Sequence, residues 1–215
     1  MKVRTAYVLF TAILGWFGLV LQLFLILTNE STGIRFWGRF FNYFSFFTIL
    51  TNFLVAICLT CTLFNAKSRA GAFFRQPGVH TATAMYILIV GIVYVTVLQA
   101  LWKPQGLQWV ADIVLHYAIP LLYTIYWLLF VPKGYTKWKY CLLWLIYPAV
   151  YFAYSLIRGA VTGWYPYPFL DVRQNGLNGT LLNAASLLGF FIVIGLIIIS
   201  VDKFFTRKSI AAKPV

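Results

Sequence analysis

Six long apolar runs constrain this chain more than any other feature of its sequence. They cover residues 5–27, 40–64, 84–102, 109–131, 139–156 and 181–200. Each is close to the ~20 residues that an α-helix needs to cross the ~30 Å hydrocarbon core of a bilayer. Because lipid offers no partner to unpaired strand edges, helices are the expected form. The runs therefore predict an all-α polytopic membrane protein, a bundle of six transmembrane helices.

Composition supports this class and excludes several others. Apolar residues make up 62% of the 215 residues and charged residues only 10%, against about 25% charged in soluble domains. An ordinary soluble enzyme and a disordered chain are therefore excluded, and three cysteines cannot form a disulfide framework. The longest connections, 65–83 and 157–180, are too short to bury a core, so a single domain over 1–215 is expected. The first run is expected to be a retained helix rather than a cleaved signal peptide, since five more spans follow.

The distribution of basic residues predicts the orientation. The chain carries 17 Lys and Arg against 4 Asp and Glu, a net charge of +13. Twelve of the 17 lie at the N-terminus, in the second and fourth loops and in the tail, and five lie in the other three loops. Loops rich in Lys and Arg stay in the cytoplasm. Both termini are therefore expected to be cytoplasmic, with the bilayer rather than nucleic acid as the partner of the positive charge.

Polar residues inside the second run form a possible site. Steps of three and four residues place four of them on one face of a continuous helix, with Thr51 at its edge. The four are Asn42, Ser45, Thr48 and Asn52. Two interpretations are open: interhelical hydrogen bonding, which is common for these residue types, and the lining of a functional cavity.

The fourth run contains His116, the only histidine in any predicted span, since His80 falls in the predicted cytoplasmic loop 65–83. Pro120 has no amide for the His116 carbonyl, so the helix is expected to open or kink there. Asp112 lies one turn before His116 and is placed to orient the imidazole. The alternatives are a structural histidine and an acid that is favoured by the helix dipole. Thr48 and His116 are both expected ~10–12 Å below the outer interface, so the hydroxyl and the ring are a candidate nucleophile and base.

The outer loop after the fifth run is rich in aromatic residues. Trp164, Tyr165 and Tyr167 are typical of an interfacial belt, but the prolines between them also allow a stiff cover over a pocket. Arg158, at the outer end of the fifth run, either snorkels to the interface or attracts a lipid carboxylate or phosphate. No cluster with metal-ligand spacing and no nucleotide-binding motif is present in the sequence, so no metal and no cofactor are expected.

Three stretches give the chain a resemblance to a known family. They are 45–52 (SFFTILTN), 116–120 (HYAIP) and 161–170 (VTGWYPYPFL). The chain resembles the androgen-induced protein family of integral membrane fatty-acid-ester hydrolases, particularly its bacterial six-helix relatives. The resemblance implies a threonine nucleophile in the first stretch, where Thr48 and Thr51 compete and Thr48 is preferred. It implies His116 as the catalytic base and, from the bacterial relatives, a location in the bacterial plasma membrane.

The expected function is therefore an intramembrane esterase for fatty-acyl esters of the hydroxy-fatty-acid type. Thr48 would attack, His116 would take the proton, Asp112 would orient His116, and Asn52 or a main-chain amide would meet the oxyanion. Arg158 would hold a substrate carboxylate. The alternative is a lipid- or small-molecule-binding protein or transporter without covalent chemistry, with a structural or regulatory membrane subunit ranked third. The sequence indicates no oligomeric state.

Overall fold

A computed structural model describes residues 2–29 and 33–211, with the side chains of 207–211 left out. Over these residues the protein is all-helical, with 81% helix and no strand. Its α-helices are α1 Lys2–Thr28, α2 Phe36–Tyr43, α3 Phe47–Leu63, α4 Arg69–Phe74, α5 Pro77–Val93, α6 Gly106–Ile113, α7 Ile119–Phe130, α8 Tyr140–Leu143, α9 Ile146–Thr162 and α10 Val172–Ala211. A π-helical turn, Tyr94–Leu98, extends α5, and another, Val114–Ala118, joins α6 to α7.

Within the described ranges, five helical segments are long and apolar enough to cross a membrane. They are Lys2–Thr28, Pro77–Leu98, Gly106–Phe130, Tyr140–Thr162 and Val172–Thr206. The pair formed by α2 and α3 makes a sixth if it is counted as one span. The all-α prediction is therefore confirmed, and these segments have the length and composition of membrane spans, whereas the number of six spans stays a prediction.

The second apolar run is broken, which the sequence did not predict. Helices α2 and α3 meet at an angle of 65° across residues 44–46. The Ser45 hydroxyl donates to the Phe41 carbonyl at 2.7 Å, the Ser45 amide donates to the Asn42 carbonyl, and Phe46 is extended. Serine readily makes such local bonds, which compete with helix continuation. Because the residues around the break are aromatic, hydropathy shows no interruption there.

The third span begins earlier than predicted. Helix α5 starts at Pro77, a residue whose missing amide and fixed φ suit the first helical position. His80 therefore lies on a helix, 3% exposed, and not in a cytoplasmic loop. The prediction was wrong because the small and polar residues 77–83 lower the hydropathy of this segment. Their polar groups are bonded within the protein, as when Thr81 donates to the Pro77 carbonyl.

The last two spans are also longer than predicted. Helix α9 continues to Thr162, beyond the predicted end at residue 156, after a break between α8 and α9. Helix α10 begins at Val172 rather than near 181 and is interrupted at Gly176, whose φ of 67° suits a residue without a Cβ. Polar residues in the first turns of α10 kept this segment out of the predicted span.

The chain divides into two compact units, Met1–Pro132 and Lys133–Val215. In the first unit α1 packs on α3 and α6, and α5 packs on α3 and α7. Its core includes a cluster of buried apolar side chains, namely Leu19, Tyr43, Ile49, Ala56 and Leu115. The Tyr43 hydroxyl donates to the Leu19 carbonyl at 2.8 Å, which ties the end of α2 to α1. The single domain over 1–215 stays a prediction.

The second unit is organised around α10. Asp202 on this helix is fully buried, and its Oδ2 accepts from the Thr136 hydroxyl at 2.6 Å and from the Gly134 amide at 3.1 Å. The segment that precedes α8 is thereby fixed to the helix, because a buried carboxylate requires such donors.

Candidate functional site

His116 lies in the π turn Val114–Ala118, which ends two residues before Pro120. The Ile119 amide donates to the Val114 carbonyl, five residues back. The Leu115 carbonyl therefore accepts no hydrogen bond from the Ile119 amide, and none from Pro120, which has no N–H. The sequence predicted an opening or a kink at this proline, and the structure has a π turn there. Such turns are frequent at functional sites.

The imidazole of His116 is held by Asp112. Nδ1 lies 3.2 Å from Asp112 Oδ1 and 3.2 Å from the Asp112 main-chain oxygen. Asp112 is 4% exposed, and the His116 side chain is 16% exposed. Among the described residues, no hydrogen bond is made by Nε2 of His116. The ring is thus oriented through one nitrogen while the other is available.

Tyr94 completes this cluster from the neighbouring helix. Its hydroxyl donates to Asp112 Oδ2, and its ring stacks on the His116 ring with centroids 4.0 Å apart. Tyr94 opens the π turn that extends α5. Gly91, one turn earlier, allows the close approach of the helices, since a Cβ there would lie 3.1 Å from Pro120 Cβ. Two π turns, one beginning at Tyr94 and one containing His116, therefore meet at the carboxylate–imidazole pair.

Thr48 is the second residue of α3, immediately after the break at 44–46. It is 7% exposed. The N-cap residue Phe46 provides no side-chain cap for this helix terminus. The first-turn amides of an α-helix have no intrahelical partner and carry partial positive charge. The candidate nucleophile is therefore attached to a helix N-terminus.

Asn52 bridges α3 and the π turn of His116. Its side-chain nitrogen donates to the Thr48 carbonyl at 2.9 Å and to the Leu115 carbonyl at 3.2 Å. The main chains at Thr48 and Leu115 are thus bridged by one side chain. Both amide hydrogens of Asn52 are engaged, and its Oδ1 is buried with no partner among the described atoms.

The polar stripe predicted for the second run is not a single face. The prediction assumed that the second run is one continuous helix. In the structure Asn42 lies on α2 and Ser45 lies in the break. Thr48 and Asn52 are the only two of the four that lie on α3. The Ser45 hydroxyl is bonded to the Phe41 carbonyl, and Thr51 is fully buried on α3. Over the described chain, His116 makes no hydrogen bond to the Thr48 hydroxyl. The two residues are connected through Asn52 and the main chain.

The other predicted residues belong to the second unit, which is described by itself. The Arg158 guanidinium lies 4.6 Å above the Trp164 ring, and Tyr165 lies under the Arg173 guanidinium at 5.6 Å. Tyr167 is 9% exposed and stacks on Phe169. An open groove of about 530 Å³ runs along α9, lined by Val150, Ala153, Tyr154, Ile157, Arg158, Val161 and Thr162.

Asp171 fixes the end of the aromatic loop. Its carboxylate accepts from the Arg173 side chain at 2.8 and 3.0 Å and from the Arg173 amide at 2.9 Å. These bonds to Arg173 hold the pKa of the Asp171 carboxyl below its usual range. The loop between α9 and α10 is therefore anchored by an ionised acid.

Tyr94 is the site residue that sequence reasoning missed. It lies in the predicted span 84–102, but the chain has 14 tyrosines and no spacing distinguishes this one.

No group of three or more His, Cys, Asp and Glu in the described chain has an arrangement suited to a metal. Comparison of the whole chain with protein-family models, with curated proteins and with solved structures finds no match.

Proposed function

We propose that this protein is an intramembrane hydrolase of fatty-acyl esters, with Thr48 as nucleophile and His116 as general base. The observation that carries the proposal is the Asp112–His116 pair, in which Nδ1 faces a carboxylate and Nε2 makes no hydrogen bond within the described structure. A base that is oriented by a third group is the recurring arrangement in nucleophilic acyl transfer.

The position of Thr48 supports its role as nucleophile. Asn52 bonds the main chains of Thr48 and Leu115 at 2.9 and 3.2 Å, which keeps the two segments in register. The hydroxyl of Thr48 and Nε2 of His116 are not bonded to each other. In sites of this kind, nucleophile and base often lie beyond hydrogen-bond distance without substrate and come together only in the substrate complex.

The oxyanion is assigned to a main-chain amide rather than to the side chain of Asn52. Both hydrogens of the Asn52 amide are engaged in bonds to carbonyls, so a third acceptor would have to displace one of them. The amides at an α-helix N-terminus favour negative charge. A donor that meets a developing oxyanion is typically worth about 3–4 kcal/mol.

The proposed reaction has two steps. Nε2 of His116 takes the Thr48 hydroxyl proton while the oxygen bonds to the acyl carbon, and the proton then passes to the departing alkoxide as the ester bond breaks. Water next attacks the acyl-threonine, again giving a proton to Nε2. The fatty acid leaves, the proton returns to the Thr48 oxygen, and the histidine is neutral again. The cycle consumes one water and requires no cofactor.

The substrate is an ester of the fatty-acid type, with a hydroxy-fatty acid as the alcohol, and the protein acts from the bacterial plasma membrane with both termini cytoplasmic. Asp112 and His116 lie in Gly106–Phe130, a segment long and apolar enough to cross a membrane, and Thr48 lies in the bent pair of α2 and α3, which suits a lipid substrate. In the second unit, Arg158 lies beside an otherwise apolar groove, where its guanidinium would attract a carboxylate or phosphate group of a lipid.

The test uses purified protein in detergent with a fluorogenic fatty-acyl ester. We expect Thr48→Ala and His116→Ala each to lower kcat/KM by about 100-fold or more, since base and nucleophile act as one unit. Thr28→Ala, at an exposed threonine bonded only to its own helix, is the control and keeps the wild-type rate. Retention of that rate by both site variants, or its loss in Thr51→Ala alone, contradicts the assignment.

A second candidate function is lipid binding without covalent chemistry. The observation that favours it is the absence, over the described residues, of a hydrogen bond between Thr48 and His116. Binding of a fluorescent fatty-acid ester without turnover, weakened in His116→Ala, would support this function. Ester turnover by the wild type that disappears in Thr48→Ala would show that the protein does more than bind lipid.

A further inference from the structure

We propose that Tyr94 is a positioning residue that keeps His116 in the tautomer with the proton on Nδ1. The inference rests on the proposed function, because it concerns the base of that reaction. Its evidence is the contact of one tyrosine with both members of the Asp112–His116 pair: a hydroxyl donated to Asp112 Oδ2 and a ring 4.0 Å from the imidazole.

The hydrogen bonds determine where the proton lies. The main-chain oxygen of Asp112 can only accept, and it lies 3.2 Å from Nδ1 of His116. Nδ1 therefore carries a hydrogen, shared with Oδ1 of the same residue. Nε2 is then the nitrogen with the lone pair, as a base that accepts the Thr48 proton requires.

Tyr94 keeps the carboxylate in the role of acceptor. Its hydroxyl supplies Oδ2 with a donor, while Oδ1 faces Nδ1. Without that donor, the carboxylate is free to turn Oδ1 away from Nδ1, which then keeps only the main-chain oxygen of Asp112 as its acceptor. A neutral carbonyl favours the Nδ1–H tautomer less than a carboxylate does, so part of the imidazole population then carries its hydrogen on Nε2, where it blocks the base. The tyrosine hydroxyl thus acts on the reaction through Asp112.

The ring of Tyr94 fixes the plane of the imidazole as well. The two rings are nearly parallel, with an angle of 20° between them. When Nε2 takes a proton, the imidazolium faces the aromatic ring, which is the geometry of a cation–π contact. The π turn that begins at Tyr94 and the close approach at Gly91 hold this ring against the turn of His116.

The test measures the tautomer directly by ¹⁵N NMR of the full chain labelled at histidine, in detergent. The protein has two histidines, and His80→Gln assigns the spectrum. Tyr94→Phe removes the hydroxyl and keeps the ring. Tyr117→Phe is the matched control, because its ring meets Tyr94 edge-on at 5.4 Å and its hydroxyl makes no hydrogen bond in the described structure. The signals of His80, which is bonded to Tyr123 and Thr62, report whether each variant is folded.

We expect a single Nδ1–H form of His116 in the wild type and in Tyr117→Phe. In Tyr94→Phe we expect signals of the Nε2–H tautomer and a kcat lowered by ~10-fold at an unchanged KM. A Tyr94→Phe protein with native His80 signals and the wild-type tautomer overturns the inference. If the wild type hydrolyses no ester, the proposed function fails, but the tautomer still decides the role of Tyr94. If the His80 signals of Tyr94→Phe are altered, Asp112→Asn is measured instead, because it removes the carboxylate through which Tyr94 acts. An unchanged His116 tautomer in Asp112→Asn also overturns the inference.

Discussion

The side-chain amide of Asn52 on α3 donates to the main-chain carbonyl of Leu115, 3.2 Å away in the π turn before Pro120. That carbonyl lacks a helical donor because the Ile119 amide bonds Val114 and Pro120 has no N–H. Asn52 thus satisfies a backbone group that the proline leaves unpaired. Asn52, a residue type common in contacts between helices, thus bonds this carbonyl. The same side chain also holds the main chain of Thr48 beside the π turn of His116.

We expect Asn52→Ala to lower the free energy of unfolding by about 1–2 kcal/mol, because it leaves a buried carbonyl without its donor. Pro120→Ala restores an amide at position 120, so the same change should cost less in that background. The measurement is a double-mutant cycle by SDS-induced unfolding in mixed micelles. Equal costs of Asn52→Ala in both backgrounds would show that the proline does not create the need for Asn52.

The close approach at Gly91 gives a second prediction. A Cβ there lies 3.1 Å from Pro120 Cβ and 3.4 Å from the His116 oxygen, so alanine needs only a small shift of its neighbours. Valine adds two methyl groups at this contact, and we expect it to lower the free energy of unfolding by about 1–3 kcal/mol through overpacking.

Gly78→Val on the same helix is the control, because a Cβ at Gly78 meets nothing within 4 Å. The same unfolding assay compares the two valine variants. If Gly91→Val is as stable as Gly78→Val, the two helices are not held together as closely at this point as the contact indicates.

Lys133, outside the membrane-spanning segments, gives a prediction about pH. Burial lowers the pKa of its ammonium group from 10.5 to about 8, and the negative charge of Asp202 opposes part of this effect. We expect its ε-carbon signal to titrate near pH 8 in ¹³C NMR, with Lys133→Gln used for assignment. Asp202→Asn should move the midpoint further down, since the opposing attraction is gone.

The sign for stability follows from the same pKa. Between about pH 8 and 10.5 the folded lysine is mostly neutral and the unfolded one is mostly charged. The contribution of Lys133 to the free energy of unfolding therefore rises with pH through this window. A titration midpoint of Lys133 that is higher in Asp202→Asn than in the wild type would contradict the attraction between the Asp202 carboxylate and the Lys133 ammonium group.

Helical class and membrane character were predictable from the sequence because long apolar runs leave little choice of structure. The break at 44–46 was not, since it lies inside an aromatic stretch and its visible feature is a local hydrogen bond of one serine. His80 was misplaced for a related reason, because the polarity of residues 77–83 is satisfied inside the protein rather than by water.

The candidate site was predictable in its parts rather than in its assembly. Asp112 and His116 are one helical turn apart, so their contact follows from the spacing alone. The link from Asn52 to Leu115 requires knowledge of which helices are neighbours, and so does the stacking of Tyr94 on His116. Such contacts between helices leave no periodic signal in a single sequence.

Covalent labelling tests the central claim most directly. Purified protein is treated with a hydroxyl-reactive fluorophosphonate, and the modified peptide is identified by mass spectrometry in the wild type, Thr48→Ala and His116→Ala. The account predicts an adduct on Thr48 that is absent from Thr48→Ala and strongly reduced in His116→Ala. An adduct on Thr51, or ester turnover that persists at the wild-type rate in Thr48→Ala, would contradict it.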